Sequence, residues 1–152
     1  MAERDFPGRT LAIGLIGLVV LLDQAMKAWV LNGLNLSPPG CLERVFGTCG
    51  KIEISGIFDM TMVWNRGMSF GLFESEGLAR WGLFAWSGVI AIIFAVWLWR
   101  ADRGLTRLAL GLVVGGAIGN LIDRARFGAV ADFFDFSGLW FPYVFNIADA
   151  AI

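Results

Sequence analysis

The chain has 152 residues, of which 57% are hydrophobic and only 16% charged, with a mean hydropathy of +0.69. Soluble domains carry about a quarter charged residues, so this composition excludes an ordinary soluble domain. A net charge of −1 supplies no basic field for nucleic acid, and the absence of histidine removes Ser-His-Asp and Cys-His catalysis and the usual zinc sites.

Crossing a bilayer takes about 20 mostly apolar residues. The first span is predicted at residues 10–31, apolar except for Asp23, Gln24 and Lys27. Its internal charges, and the lack of a small-x-small cleavage site behind it, argue that it is retained rather than cleaved. Asp23 and Lys27 are one helical turn apart and can pair on one face, either as a packing device or as part of a site.

Residues 32–80 form a loop and a β region. "NLSPPGCLERVFGTCG" (35–50) is turn-rich, and its Cys41 and Cys49 suit a disulfide or two free thiols; two cysteines are too few for a four-ligand metal site. From Lys51 the period changes: Phe58, Met60, Met62 and Trp64 alternate with Asp59, Thr61, Val63 and Asn65. A period of two predicts a strand, expected to lie on the membrane with its apolar face toward lipid. "NRGMSFGLF" then turns back, with Gly67 and Gly71 as bends.

The second span, 81–99, is uncharged; its Trp86-Ser87-Gly88 resembles a serine-nucleophile turn but has no histidine to serve it. The third, 105–124, contains Arg107 and the small-residue stretch "GGAIGN", which permits close helix contact. Residues 125–145 are expected to form a second outer loop. Arg4 and Arg9 before the first span, and Arg100, Arg103 and Arg107 between the other two, place those ends in the cytoplasm by the positive-inside tendency; Arg124 and Arg126 depart from it. Trp29, Trp81, Trp99 and Trp140 suit interfacial belts.

Ionisable groups at membrane depth face other protein or mark a site. Asn120, Asp123 and Arg124 lie within about 1.1 helical turns, as a polar clamp between helices or as site residues. Asp132 and Asp149 stand among aromatics. Two close carboxylates at a low-dielectric boundary cannot both ionise cheaply, so one keeps a proton beside a charged partner, an acid next to a base. The alternative is two unrelated interfacial aspartates, one of them capping the helix that starts near Asn146.

Four blocks resemble the lipoprotein signal peptidases (signal peptidase II), in order along almost the whole chain. "DQAMKAWV" resembles the family's D-Q-x-x-K; "WNRGMSFGLF" resembles N-x-G-[AS]-x-[AS]-F, with Met68 and Ser69 at places often held by alanine. "GGAIGNLIDRARFGAVADFFDF" is similar to G-G-A-x-G-N-x-x-D-R followed by G-x-V-x-D-F, and "FNIADAAI" to F-N-x-A-D.

The resemblance implies a single membrane-embedded peptidase domain over 1–152, an α-helical multi-pass protein of the bacterial inner membrane with a cytoplasmic N-terminus. A small β-sheet would lie on the outer face between the first two spans, and residues 146–152 would begin a fourth span that continues past the given sequence. It implies an aspartic endopeptidase that cleaves diacylglyceryl-modified prolipoproteins just before the lipidated cysteine, with the active site toward the outer face. Asp132 and Asp149 would be catalytic; Asn65, Gly67, Asn120, Asp123, Arg124, Asn146, Asp23 and Lys27 would support them or bind substrate. Asp135 matches no catalytic position and serves as a control. The resemblance also implies membrane lipid and globomycin-type cyclic peptides as ligands, a monomer, and no metal or organic cofactor. Two rival classes remain: a proton- or ion-handling membrane protein using the same carboxylates, and a non-catalytic lipid-binding factor that would tolerate Asp→Asn at both positions.

Overall fold

A computed structural model describes residues 6–44, 47–67 and 78–152. Arg4 and the expected turn through Met68, Ser69 and Gly71 lie outside the described residues. Among the described residues, three helices are long and apolar enough to cross a membrane: Gly8–Gly33, Trp81–Arg100 and Gly104–Phe127. The first comprises α1 (Phe6–Ala28) and one π-helical turn (Trp29–Gly33); the others lie in α2 (Leu78–Arg100) and α3 (Gly104–Phe127).

The burial of α1 inverts that of a soluble helix. Leu11, Leu18, Leu21 and Leu22 are exposed, whereas Ala12, Val19, Asp23 and Lys27 form a buried stripe. Leucines outward suit lipid, and inward charges must find partners on neighbouring helices. Those partners stand on α3, which packs against α1, α2 and a short α4 (Ile147–Ala151). Small residues set the closeness: a Cβ on Gly119 would lie 2.6 Å from Asp23 Oδ2, and one on Gly116 would collide with the Ala148 carbonyl. The "GGAIGN" stretch is therefore the contact stripe for both α1 and α4.

α3 ends at Gly128, whose φ of 74° and N–H to the Arg124 carbonyl turn the chain into the sheet. Among the described residues, four antiparallel strands follow the order β1 (Lys51–Glu53), β2 (Asp59–Asn65), β3 (Val130–Asp135), β4 (Val144–Phe145). Val63 stands opposite Asp132 and Asn65 opposite Val130, with an irregularity between Met60 and Val63.

Two expectations need correction. The sheet is not confined to the region between the first two spans: half of it comes from 125–145, expected as a loop. Ala131 and Phe133 are fully buried and Val130 nearly so, and a central strand covered on both sides shows no alternation to read. Nor does the apolar face of β2 look toward lipid. Met60, Met62 and Trp64 are buried against Val30, Leu36, Cys41, Ala131 and Phe133, because the turn after α1 and the cysteine loop fold over that face. Cys41 and Cys49 form a disulfide.

Candidate active site

Asp132 sits in the middle of β3, 2% exposed. Strand pleating sends its side chain to the face opposite Ala131 and Phe133, and two amides meet it there. Asn146 donates from Nδ2 to Oδ1 at 2.7 Å, and Asn65, at the end of β2, donates from Nδ2 to Oδ2 at 3.1 Å. Burial, and then the charge of Asp149, push the Asp132 carboxyl up from 3.8 to about 7, against the opposing pull of Asn65, Asn146 and Lys27.

Asp149 is held by the start of α4. Asn146 caps that helix, its Oδ1 accepting the Asp149 N–H at 2.9 Å, and Asp149 Oδ2 accepts the Asn146 N–H at 3.2 Å, a reciprocal capping box. The other carboxylate oxygen, Oδ1, accepts from Asn120 Nδ2 at 2.7 Å. Both aspartates thus receive hydrogen bonds from one residue, Asn146.

Behind them lies a second cluster. Lys27 Nζ is 2.8 Å from both Asp23 Oδ2 and Asp123 Oδ2, and 3.2 Å from Asn120 Oδ1, so its three donors have three acceptors. An ammonium can only donate; its contact requires Asn120 to turn its oxygen toward Lys27 and its amide nitrogen toward Asp149. Asp23 Oδ1 accepts the Ala148 N–H at 3.0 Å, tying α4 to α1, and Asp123 Oδ2 accepts the Ala131 N–H at 3.1 Å, tying β3 to α3. The ion pairs therefore position the two segments that carry Asp132 and Asp149.

Other expected residues take lesser places. Arg124 Nη1 reaches the Asn120 carbonyl at 3.5 Å, and the Gly67 N–H bonds Asn65 Oδ1 at 3.2 Å, closing the turn after β2. Asp135 stands apart from the network: it accepts from the Thr61 hydroxyl at 2.6 Å and the Ser137 N–H at 2.9 Å, and the Thr61 bond foremost holds its carboxyl below the ordinary value. Gln24 was missed as a site residue. Its Nε2 donates to Asp23, Asp123 and the Gly119 carbonyl at 3.1–3.2 Å, and its polar side chain inside an apolar span was the available signal.

Comparison with known proteins decides the family. The family model for signal peptidase II matches residues 15–152. The chain belongs to that family. It is similar to lipoprotein signal peptidases of Caulobacter vibrioides (43% identity, covering 93% of this chain and 79% of the relative) and Methylorubrum extorquens (46%, covering 91% and 78%). Two solved bacterial membrane enzymes share the fold seen here. One has a TM-score of 0.71 at 25% identity, covering 93% of this chain and 84% of that one; the other has 0.68 at 23% identity, covering 93% and 80%. Membership makes the chain a peptidase, and its three apolar helices make it a bacterial membrane protein.

Proposed function

We propose that the chain is an aspartic endopeptidase that removes signal peptides from diacylglyceryl-modified prolipoproteins, with Asp132 and Asp149 as its catalytic pair. The observation that carries this reading is that Asn146 donates to both carboxylates, through Nδ2 to Asp132 and through its main-chain N–H to Asp149.

The pair shares one proton. Burial makes Asp132 the more easily protonated member, while half-buried Asp149 accepts hydrogen bonds from the Asn120 side chain and the Asn146 backbone. Asp149 removes a proton from a water as that water attacks the scissile carbonyl. Asp132 donates its proton to the carbonyl oxygen, and the dyad then returns a proton to the leaving amine. The products are the signal peptide and a protein that begins with the lipidated cysteine.

The arginines before and between the spans, and a peptide bond beside a lipid anchor, support placement at the outer face of the inner membrane. Acyl chains would lie against the exposed leucines of α1, and the sheet would cover the peptide. Arg124 and Gly67 would help position its backbone. A trans-membrane proton relay needs carboxylates at several depths, whereas Asp23, Asp123, Asp132 and Asp149 belong to one hydrogen-bonded cluster.

The test is a gel-shift cleavage assay on a diacylglyceryl prolipoprotein in micelles. Asp132→Asn and Asp149→Asn should each lose about 10²–10⁴-fold in rate, and Asp135→Asn should keep its activity. Cleavage surviving in either of the first two would overturn the mechanism.

A further inference from the structure

The cysteine loop has no part in the chemistry above, yet it is bound to β2 at several points. The Cys49 N–H donates to the Met62 carbonyl and the Met62 N–H to the Gly50 carbonyl, both at 2.8 Å. The two ends of the loop are pressed together, since a Cβ on Gly50 would lie 2.8 Å from the Leu36 carbonyl oxygen. Cys41 is 1% exposed within the core that also holds Met62 and Trp64.

Two further bonds reach the end of the strand, one on each side of Asn65. The Trp64 indole N–H donates to the Ser37 hydroxyl at 3.0 Å, and the Arg66 guanidinium donates to the Leu42 carbonyl. Asn65 itself is exposed and makes the last paired position of β2 with β3, so sheet pairing alone leaves it at a free end. Strand ends fray unless something holds them.

We infer that the disulfide-closed loop is a brace that holds Asn65 on Asp132, with Trp64 and Arg66 as positioning residues that act through it. The crosslink limits the freedom of the segment that carries Leu42, and Leu42 and Ser37 in turn fix the residues on either side of Asn65. This inference rests on Asp132 being a catalytic carboxylate. The two cysteines thereby acquire a role. In an oxidising compartment the brace is locked, and under reduction Asn65 is released. A carboxyl that loses a donor becomes easier to protonate.

The experiment uses the full chain in micelles with a diacylglyceryl prolipoprotein, recording kcat and KM across a pH series. Cys41→Ala/Cys49→Ala, Arg66→Met and Asn65→Ala run beside wild type and Asp132→Asn, and each brace change is repeated in the Asn65→Ala background. The wild type is also assayed after a phosphine reductant, with thiol labelling to verify opening of the bond; this keeps the test usable should a cysteine variant fail to fold. The brace variants and the reduced enzyme should lose up to about 10²-fold in kcat with little change in KM. Their basic limb should move upward as in Asn65→Ala, and they should cause no further loss once Asn65 is gone. Losses that add fully to that of Asn65→Ala, an unmoved basic limb, or full activity in the verified reduced enzyme would overturn the brace. Indifference of the brace variants while Asp132→Asn is dead removes the brace alone. Cleavage by Asp132→Asn removes the dyad, and the brace with it.

Discussion

Asn146 and Asp149 cap each other: the side-chain oxygen of the first accepts the N–H of the second, and a carboxylate oxygen of the second accepts the N–H of the first. One member of the proposed dyad is therefore aimed by the rule that starts a helix. The same asparagine sends its Nδ2 to Asp132, joining a capping role to a site role. The two roles can be separated. Asn146→Ser should still cap α4 but cannot reach Asp132, so it should unfold at a higher temperature than Asn146→Ala while kcat falls sharply. Asn146→Ala should lose both, with an added loss of stability of about 0.5–2 kcal/mol. Thermal unfolding in micelles beside the cleavage assay distinguishes them; equal activity in Asn146→Ser and wild type would sink the bridging role.

Asp132 also makes stability depend on pH, with a definite sign. Its folded carboxyl lies near 7 against 3.8 in an ordinary environment, so between those values the folded state binds more proton than the unfolded chain. Stability from this group is complete below about 4 and declines as pH rises through about 7. Wild type should thus lose stability over that interval, and Asp132→Asn should show a shallower slope. A slope unchanged by the substitution would assign the pH dependence to other groups.

The ion cluster predicts an asymmetry between its members. Lys27→Met leaves Asp23 and Asp123 buried without their cation, and should destabilise by about 3–5 kcal/mol. Asp23→Asn leaves Lys27 paired with Asp123 and should be milder. Unfolding in a graded denaturing detergent measures both; equal effects would mean that the three charges do not act as a set.

Gly116 gives a test of geometry at a distance from the chemistry. A methyl group there meets the Ala148 carbonyl and Ile152 Cγ1, so Gly116→Ala must push α4 away from α3. Asp149 moves with it, and a displacement of about 1 Å can lower the rate by about 10²-fold. Gly14→Ala, which meets nothing within 4 Å, should be neutral in the same assay.

Much of this was legible in the chain. The spans announced themselves by length and hydropathy, and the polar residues inside α1 and α3 form the cluster that lies behind the proposed dyad. Spacing alone paired Asp23 with Lys27, and the salt bridge is there. Asp123 was visible as a polar residue on α3 but not as a second partner of Lys27, because the contact depends on how α1 and α3 are rotated about their axes. β3 was hidden for a different reason: "VADFF" is covered on both faces and shows no period, so it reads as a greasy connection rather than as the central strand that presents Asp132. The direction faced by β2 was misjudged because the loop that covers it is turn-rich with no hydrophobic period and folds over only through tertiary contacts and the crosslink.

The salt bridge inside α1 has a consequence for biogenesis. A helix entering a bilayer before its neighbours would carry Asp23 and Lys27 into hydrocarbon, where a lone charge is costly. Because the two sit one turn apart and bond each other, the segment can leave the translocon as a neutral unit. α3 brings Asp123, whose salt-bridge partner is Lys27 on α1. The first span can thus be delivered with its innermost charges paired, and the bond that links Lys27 to Asp123 can wait until α3 has arrived.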